Sequence, residues 1–278
     1  GVFQEIRKFS NLLKYSNDTT YKLYNPSKNL SVDEAMLNFR RFVSYRQYIA
    51  NKKHAHRIKM YSLCEPTGLV LCLDFYMGHS KMNFEYAEIG HSGTVVFELL
   101  ENYLYEGRSV FIDNYYSSIV LAQILYQKKT FVTGTIRKNR KGVKDLFNEI
   151  KLSPGQKFTK TIEGMVEICY WNDKKDIYIL STEFPSHFAD SKNSRGTVSK
   201  KPLSVSSYNS FMGGVDASDQ KICYYTPERK TYDCSKKIIF RIIDYMMINL
   251  YLMYSNYNSS EKLSLLEFRK RVVERLLE

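Results

Sequence analysis

The sequence lacks the features that staple small or secreted folds. Its five cysteines, Cys64, Cys72, Cys169, Cys223 and Cys234, are odd in number and form no CxxC pair. That excludes a zinc knuckle of this spacing and a secreted disulfide framework, and the thiols are expected to be reduced. A chain of 278 residues buries enough surface to fold without either device. No signal-peptide pattern opens it, and Gly1 in place of Met leads to the expectation of a fragment of a longer protein. Long hydrophobic runs are also missing. The nearest, 238–254, contains Arg241, Asp244 and Asn249; each charge would cost ~3 kcal/mol in mid-bilayer, so it reads as a buried core helix of an intracellular protein with no membrane partner. No GxSxG, GxGxxG or Walker A pattern is present, which sets aside hydrolase and dehydrogenase readings. Tryptophan is nearly absent, one residue against 23 tyrosines. Those tyrosines offer stacking surface, although a compositional bias of the source genome explains the count equally well.

What the chain has in excess is positive charge. Forty-one Lys and Arg against 29 Asp and Glu leave +12, a balance that favours a polyanionic partner, most commonly nucleic acid. The charge is clustered. Between Phe39 and Cys64 there is no acid, while Arg40, Arg41, Arg46, Lys52, Lys53, Arg57 and Lys59 are interleaved with Phe42, Tyr45 and Tyr48. Arg137, Lys138, Arg140, Lys141 and Lys144 form a second cluster. Both runs are read as phosphate-contacting, DNA-binding positions.

Along the chain, 1–30 reads as a helix followed by a loop, and 30–36 as a helix start with a Ser31/Glu34 capping box. Two strand-like runs, 58–64 and 69–76, flank the turn Glu65-Pro66-Thr67-Gly68 and predict a hairpin. A helix at 94–104, a doubly buried strand at 109–112, a helix from Ser118 and a strand at 131–136 then alternate, as in an α/β sheet. Residues 137–215 change character: short β-type pieces, with a flexible Ser/Lys/Asn stretch at 186–207, read as a β-rich insertion. From Asp216 the chain is helical again, to an amphipathic tail.

Acids sit at three places where chemistry is expected. Asp113 closes the buried strand at the carboxyl edge of the sheet, although a helix N-cap would account for it as well. Gly213-Gly214 is read as breaking a preceding extended segment before a helix opens; Asp216 and Asp219 share one face of that helix, and the helix dipole alone accounts for acids there. Glu65 ends the run 58–64. Acids on separate elements of one sheet suit a two-metal phosphoryl-transfer site.

Leu30-Ser-Val-Asp-Glu34, Arg46-Gln-Tyr-Ile49, Leu63-Cys-Glu-Pro-Thr-Gly68, Phe111-Ile-Asp-Asn-Tyr115 and 134–142 follow one another in an order similar to that of the piggyBac-type DDE transposases and their domesticated derivatives. Tyr208-Asn209, Met212-Gly-Gly-Val-Asp216, Asp219-Gln220 and Arg229-Lys230 continue the resemblance. It implies an α/β fold with a ribonuclease-H-like core interrupted by a β-rich insertion. The expected division is a helical and basic lead-in at 1–50, a first part of the core at 51–136, the insertion at 137–215 and a second, helical part at 216–278. The resemblance further implies DNA strand cleavage and transfer at TTAA targets with two Mg²⁺ or Mn²⁺ ions, a transposon-end DNA partner, a homodimer and a nuclear location. Carried over by position, Glu65, Asp113 and Asp216 are the catalytic metal ligands and Asp219 a supporting catalytic acid. The alternative is a domesticated DNA-binding protein that keeps the fold and has lost the chemistry.

Overall fold

The computed structural model describes residues 2–39, 41–43, 45–48, 56–76, 88–192, 196, 198–226, 231–258 and 262–278. Its elements begin with helix α1 (Val2–Leu23) and strands β1 (Asn29–Asn38), β2 (Gln47–Tyr48), β3 (His56–Cys64) and β4 (Val70–Phe75). Helix α2 (Gly90–Leu100), strand β5 (Ser109–Ile112), helix α3 (Ile119–Gln127) and strand β6 (Phe131–Thr135) follow. Strands β7 (Lys157–Ile162), β8 (Val166–Asn172), β9 (Asp176–Ser181), β10 (Phe188–Lys192) and β11 (Val198–Pro202) come next. Helices α4 (Leu203–Phe211), α5 (Gly214–Tyr225), α6 (Cys234–Tyr257) and α7 (Leu265–Leu277) end the chain. Two compact units result: Gly1–Pro26 with Glu34–His79 and Gly214–Glu278, and Ser27–Asp33 with Ser80–Gly213.

In the first unit, β3 pairs antiparallel with β4, Met60 opposite Phe75, as the hairpin reading required. Gly68, at φ +89°, closes the turn between them. The outer edge of β4 would leave backbone groups bare, and two helical asparagines cover it. Asn17 on α1 donates to the Leu73 carbonyl at 2.9 Å and accepts from the Leu73 N–H at 3.1 Å. Asn249 on α6 does the same for Val70, at 2.6 and 2.8 Å. A carboxamide has the donor and acceptor that a neighbouring strand would supply, so the edge is satisfied inside the fold. By length and composition α6 is the one helix among the described residues apolar enough to cross a membrane. Its buried residues include Arg241, Asp244 and Asn249, all of them engaged within the unit.

In the second unit, β5 is buried along its whole length and pairs parallel with β1 on one side and β6 on the other. Helix α3 is capped by Ser118, whose hydroxyl accepts from the Leu121 N–H at 3.2 Å. Strand β9 pairs antiparallel with β6, Gly134 opposite Leu180, and β8 and β7 follow it outward. The β-type pieces after residue 137 are therefore joined edge to edge with the alternating part.

Three local expectations are corrected. Residues 30–36 form strand β1, where Leu30, Ser31 and Val32 are all fully buried; pairing with β5 outweighs a local capping-box pattern. The stretch 186–207 holds the β10–β11 ribbon and the start of α4, with Asp190 opposite Lys200 and the Ser186 and Ser204 hydroxyls 3.0 Å apart. Gly213-Gly214 accordingly interrupts two helices; no extended segment precedes it.

Replacing Asn249 by Leu keeps the helix and its volume but strands the Val70 N–H and C=O. Each buried backbone group left unpaired costs about 1–3 kcal/mol. The midpoint of urea unfolding should fall accordingly, with the slope unchanged.

Candidate functional site

The register of β1 on β5 runs from Asn29 opposite Ser109 to Val32 opposite Ile112. The next step sets Asp33 beside Asp113, on neighbouring strands about 4.8 Å apart. Both acids are half-buried. Tyr208, from α4, shares their surroundings: burial raises its hydroxyl above the ordinary tyrosine value, a hydrogen bond with Thr135 opposes this, and the charges of Asp113 and Asp33 add to the rise. One phenol thus senses both carboxylates.

The turn after Asp113 is held from several sides. The Asp113 Oδ1 accepts from the Tyr115 N–H at 2.7 Å, and its carbonyl accepts from the Ser117 hydroxyl at 2.9 Å. Arg140 donates through Nε to the Ser117 carbonyl at 3.0 Å and through Nη2 to the Asn114 and Tyr115 carbonyls at 3.1 and 2.7 Å. Arg137 Nε donates to Asn114 Oδ1 at 2.8 Å. Gly134 on β6 lies so close that a Cβ there would fall 2.5 Å from the Ile112 carbonyl oxygen and the Ser117 hydroxyl. Ser118, not Asp113, caps α3, while Asp113 caps the short turn that follows it, its carbonyl accepting from the Tyr116 and Ser117 N–H groups at 3.3 and 3.2 Å.

The other expected acids lie in the first unit. Glu65, 3% exposed, accepts from the Tyr24 hydroxyl at 2.9 Å and the Thr67 hydroxyl at 3.4 Å. Burial and then Glu65 push the Tyr24 hydroxyl up to about 12. The turn after Glu65 packs on α5: a Cβ on Gly68 would meet the Ser218 nitrogen at 2.8 Å, and Lys221 donates to the Thr67 carbonyl at 2.9 Å. Asp216 is exposed in the first turn of α5, where the helix dipole favours an anion. Asp219 faces inward, accepting from the Tyr245 hydroxyl at 3.3 Å and lying 3.7 Å from Arg241. Among the described residues no three His, Cys, Asp or Glu side chains form a metal-binding group. Of the expected trio, Glu65 and Asp216 belong to the first unit and Asp113 to the second; the acid that the β1–β5 register sets beside Asp113 is Asp33.

A signal for Asp33 was present. Leu-Ser-Val-Asp and Val-Phe-Ile-Asp are two short runs of the same form, each closed by an aspartate. They occupy adjacent strands in matching register.

The basic positions divide into structural and surface groups. Lys59 is 7% exposed, paired with Glu34 at 2.7 Å and held over the Tyr61 ring. Arg140 is committed to the turn carbonyls. Each of the two is thus engaged by partners within the fold, which the reading as phosphate-contacting positions did not include. Arg41 and Arg46 lie over the rings of Tyr232 and Phe42, and Arg57 is half-buried on β3. Arg137, Lys138 and Lys141 are exposed. Arg40, Lys52 and Lys53 lie outside the described residues.

The family model for transposase IS4 matches residues 3–251. The chain belongs to the transposase IS4 family. Within it, the resemblance is to piggyBac-type proteins. PiggyBac transposable element-derived protein 3 of Homo sapiens is 25% identical over 291 residues, covering 98% of this chain and 48% of that protein. The chimeric ERCC6-PGBD3 protein of Homo sapiens is also 25% identical over 291 residues, with 98% of this chain and 27% of that one covered. The chain thus spans about half, or less, of the length of these relatives. A cryo-EM structure of the piggyBac transposase synaptic complex with hairpin DNA superposes with a TM-score of 0.83 at 27% identity, over 98% of this chain and 56% of that one. The mixed α/β architecture is that of piggyBac transposase, with its ribonuclease-H-like core. Transposases of this family generally use divalent metal ions.

Arg140→Met removes the donor group shared by the Ser117, Asn114 and Tyr115 carbonyls. Stability measured by urea unfolding should drop by about 1–3 kcal/mol, and Arg140→Lys should recover only part, since an ammonium lacks the planar fork.

Proposed function

We propose that the chain is the core of a piggyBac-type DNA transposase that cleaves and transfers DNA strands at TTAA targets, with Asp33 and Asp113 as its metal-holding acids. The observation that carries this reading is their shared position in the β1–β5 register. Two carboxylates side by side are hard oxygen donors of the kind Mg²⁺ or Mn²⁺ accepts together with water and substrate phosphates, so the donor set fits such an ion. When bound, the ion supplies Lewis acidity toward a phosphodiester. Within the chain, Arg140, Gly134 and Ser117 fix the backbone that carries Asp113, and Tyr208 stays protonated beside the two anions. A second ion and the participation of Asp216 follow from the resemblance. With the reading go a transposon-end DNA partner, a second copy of the chain and a nuclear location. The +12 charge and a structural relative described as a complex with hairpin DNA support the DNA partner.

A second reading is a DNA-binding protein without chemistry, favoured by relatives that are named transposable element-derived proteins. One assay separates the two. With the whole chain, Mn²⁺-dependent nicking of DNA bearing matching terminal repeats should vanish in Asp33→Asn, Asp113→Asn and Asp216→Asn, with binding retained. Glu65→Gln should keep it, because the Tyr24 and Thr67 hydroxyls can still donate to an amide oxygen. Loss in Glu65→Gln together with full activity in Asp33→Asn would reverse the assignment. Wild-type binding without any cleavage selects the second reading.

DNA affinity should fall with salt. Replacing Lys138 and Lys141 by Ala should flatten the slope of log K against log[salt] by roughly 0.9 for each phosphate that is no longer neutralised, while Lys59→Met leaves it unchanged.

A further inference from the structure

Beside the acid pair, the second unit has a cavity of about 640 Å³. It begins one residue from Asp113, at Asn114, and continues along the end of β6 to β9. Its apolar lining residues are Ile136, Ile177 and Tyr178. That lining is well anchored. The Ile136 N–H donates to the Tyr178 carbonyl at 2.9 Å, and the Tyr178 ring stacks on Tyr170 at 4.6 Å with its edge against Phe147.

The rest of the lining has two chemistries. Asn114, Asn139 and Asn148 bring carboxamides, and Arg137, Lys138 and Lys144 bring positive charge. The one carboxylate, Asp176, already accepts from the Tyr170 hydroxyl at 3.0 Å. An apolar surface accepts the face of a base, carboxamides match the paired donors and acceptors on its edge, and cations take its phosphates. The volume lies in the range of small-molecule sites, too small for a duplex and sufficient for one nucleotide.

We infer that this cavity receives a single unpaired nucleotide of the DNA strand handled by the Asp33–Asp113 pair. The inference rests on the DNA reading above. Through its bond to Asn114, Arg137 links the cavity wall to the residue after Asp113. A base lodged there fixes the position of its own strand relative to the acids, which a duplex sliding on surface charge cannot do. Nucleotides already unpaired, as in a hairpin end or a bulge, enter at the smallest unstacking cost.

The test uses the whole chain and two labelled duplexes of equal length, one fully paired and one with a single extrahelical adenosine, compared by fluorescence anisotropy. The bulged duplex should bind about tenfold more tightly. Asn148→Trp, which fills the cavity from an exposed position, should abolish that preference while affinity for the paired duplex and its salt slope stay as in the wild type. Asn148→Ala, a milder change, should reduce the preference in part. Equal affinity for the two duplexes with a normal salt slope overturns the inference and leaves the DNA reading standing. Absence of salt-dependent binding to either duplex overturns both. Titration with free dAMP distinguishes the source of the nucleotide: displacement of the bulged duplex by micromolar dAMP would reassign the cavity to free mononucleotides.

Discussion

The parallel pairing of β1 with β5 is the constraint on which the candidate site depends. Parallel strands in register bring residues of the same rank to the same height, so two runs that each end in aspartate deliver their acids side by side. A slip of one residue would turn one of them to the opposite face. Burial protects the register: Leu30, Val32, Val110, Phe111 and Ile112 are all inaccessible, and shifting them would expose or overcrowd the core of the second unit.

Holding Asp113 in place is work for positive charge and for the lack of a side chain. Arg140 gathers three carbonyls that the turn after β5 leaves without strand partners, and Gly134 gives that turn the room to approach β6. A basic cluster thus serves two ends. Some of its members are structural, with guanidinium or ammonium groups fixed on acceptors inside the fold, and others, such as Lys138 and Lys141, are exposed at the surface, where a polyanion can engage them. Net charge counts both kinds alike.

The first unit solves a different problem. Its long helix α6 is apolar enough to be mistaken for a membrane segment, yet its buried polar residues are the parts that organise the unit. Asn249 and Asn17 complete the edge of β4. Asp244, 1% exposed, accepts from the Thr226 hydroxyl at 3.0 Å and from Arg269 at 3.5 Å. Burial raises its carboxyl above the usual aspartate value, and those partners, with Arg241, pull it back. Removing one partner from such a buried pair costs about 3–5 kcal/mol. Asp219, with Arg241 and Tyr245, belongs to the same layer, which accounts for an acid there without assigning it chemistry.

Local sequence determined most of the elements. The 58–76 hairpin followed from a turn-forming tetrapeptide between apolar runs, β5 from four continuous apolar residues, α3 from Ser118 and the periodicity after it, and α6 from its length and composition. The ordered motifs were enough to indicate the family. Tertiary structure alone decided three matters. It made 30–36 a strand, because pairing with β5 outweighs a capping pattern that only neighbours in sequence support. It separated Lys59 and Arg140 from the exposed bases, because partners distant in sequence, or backbone carbonyls, claim them. And it set Asp33 beside Asp113 while giving Glu65 to Tyr24 and Thr67: two acids 80 residues apart in number become neighbours only through strand register, a long-range pairing that no window along the chain contains.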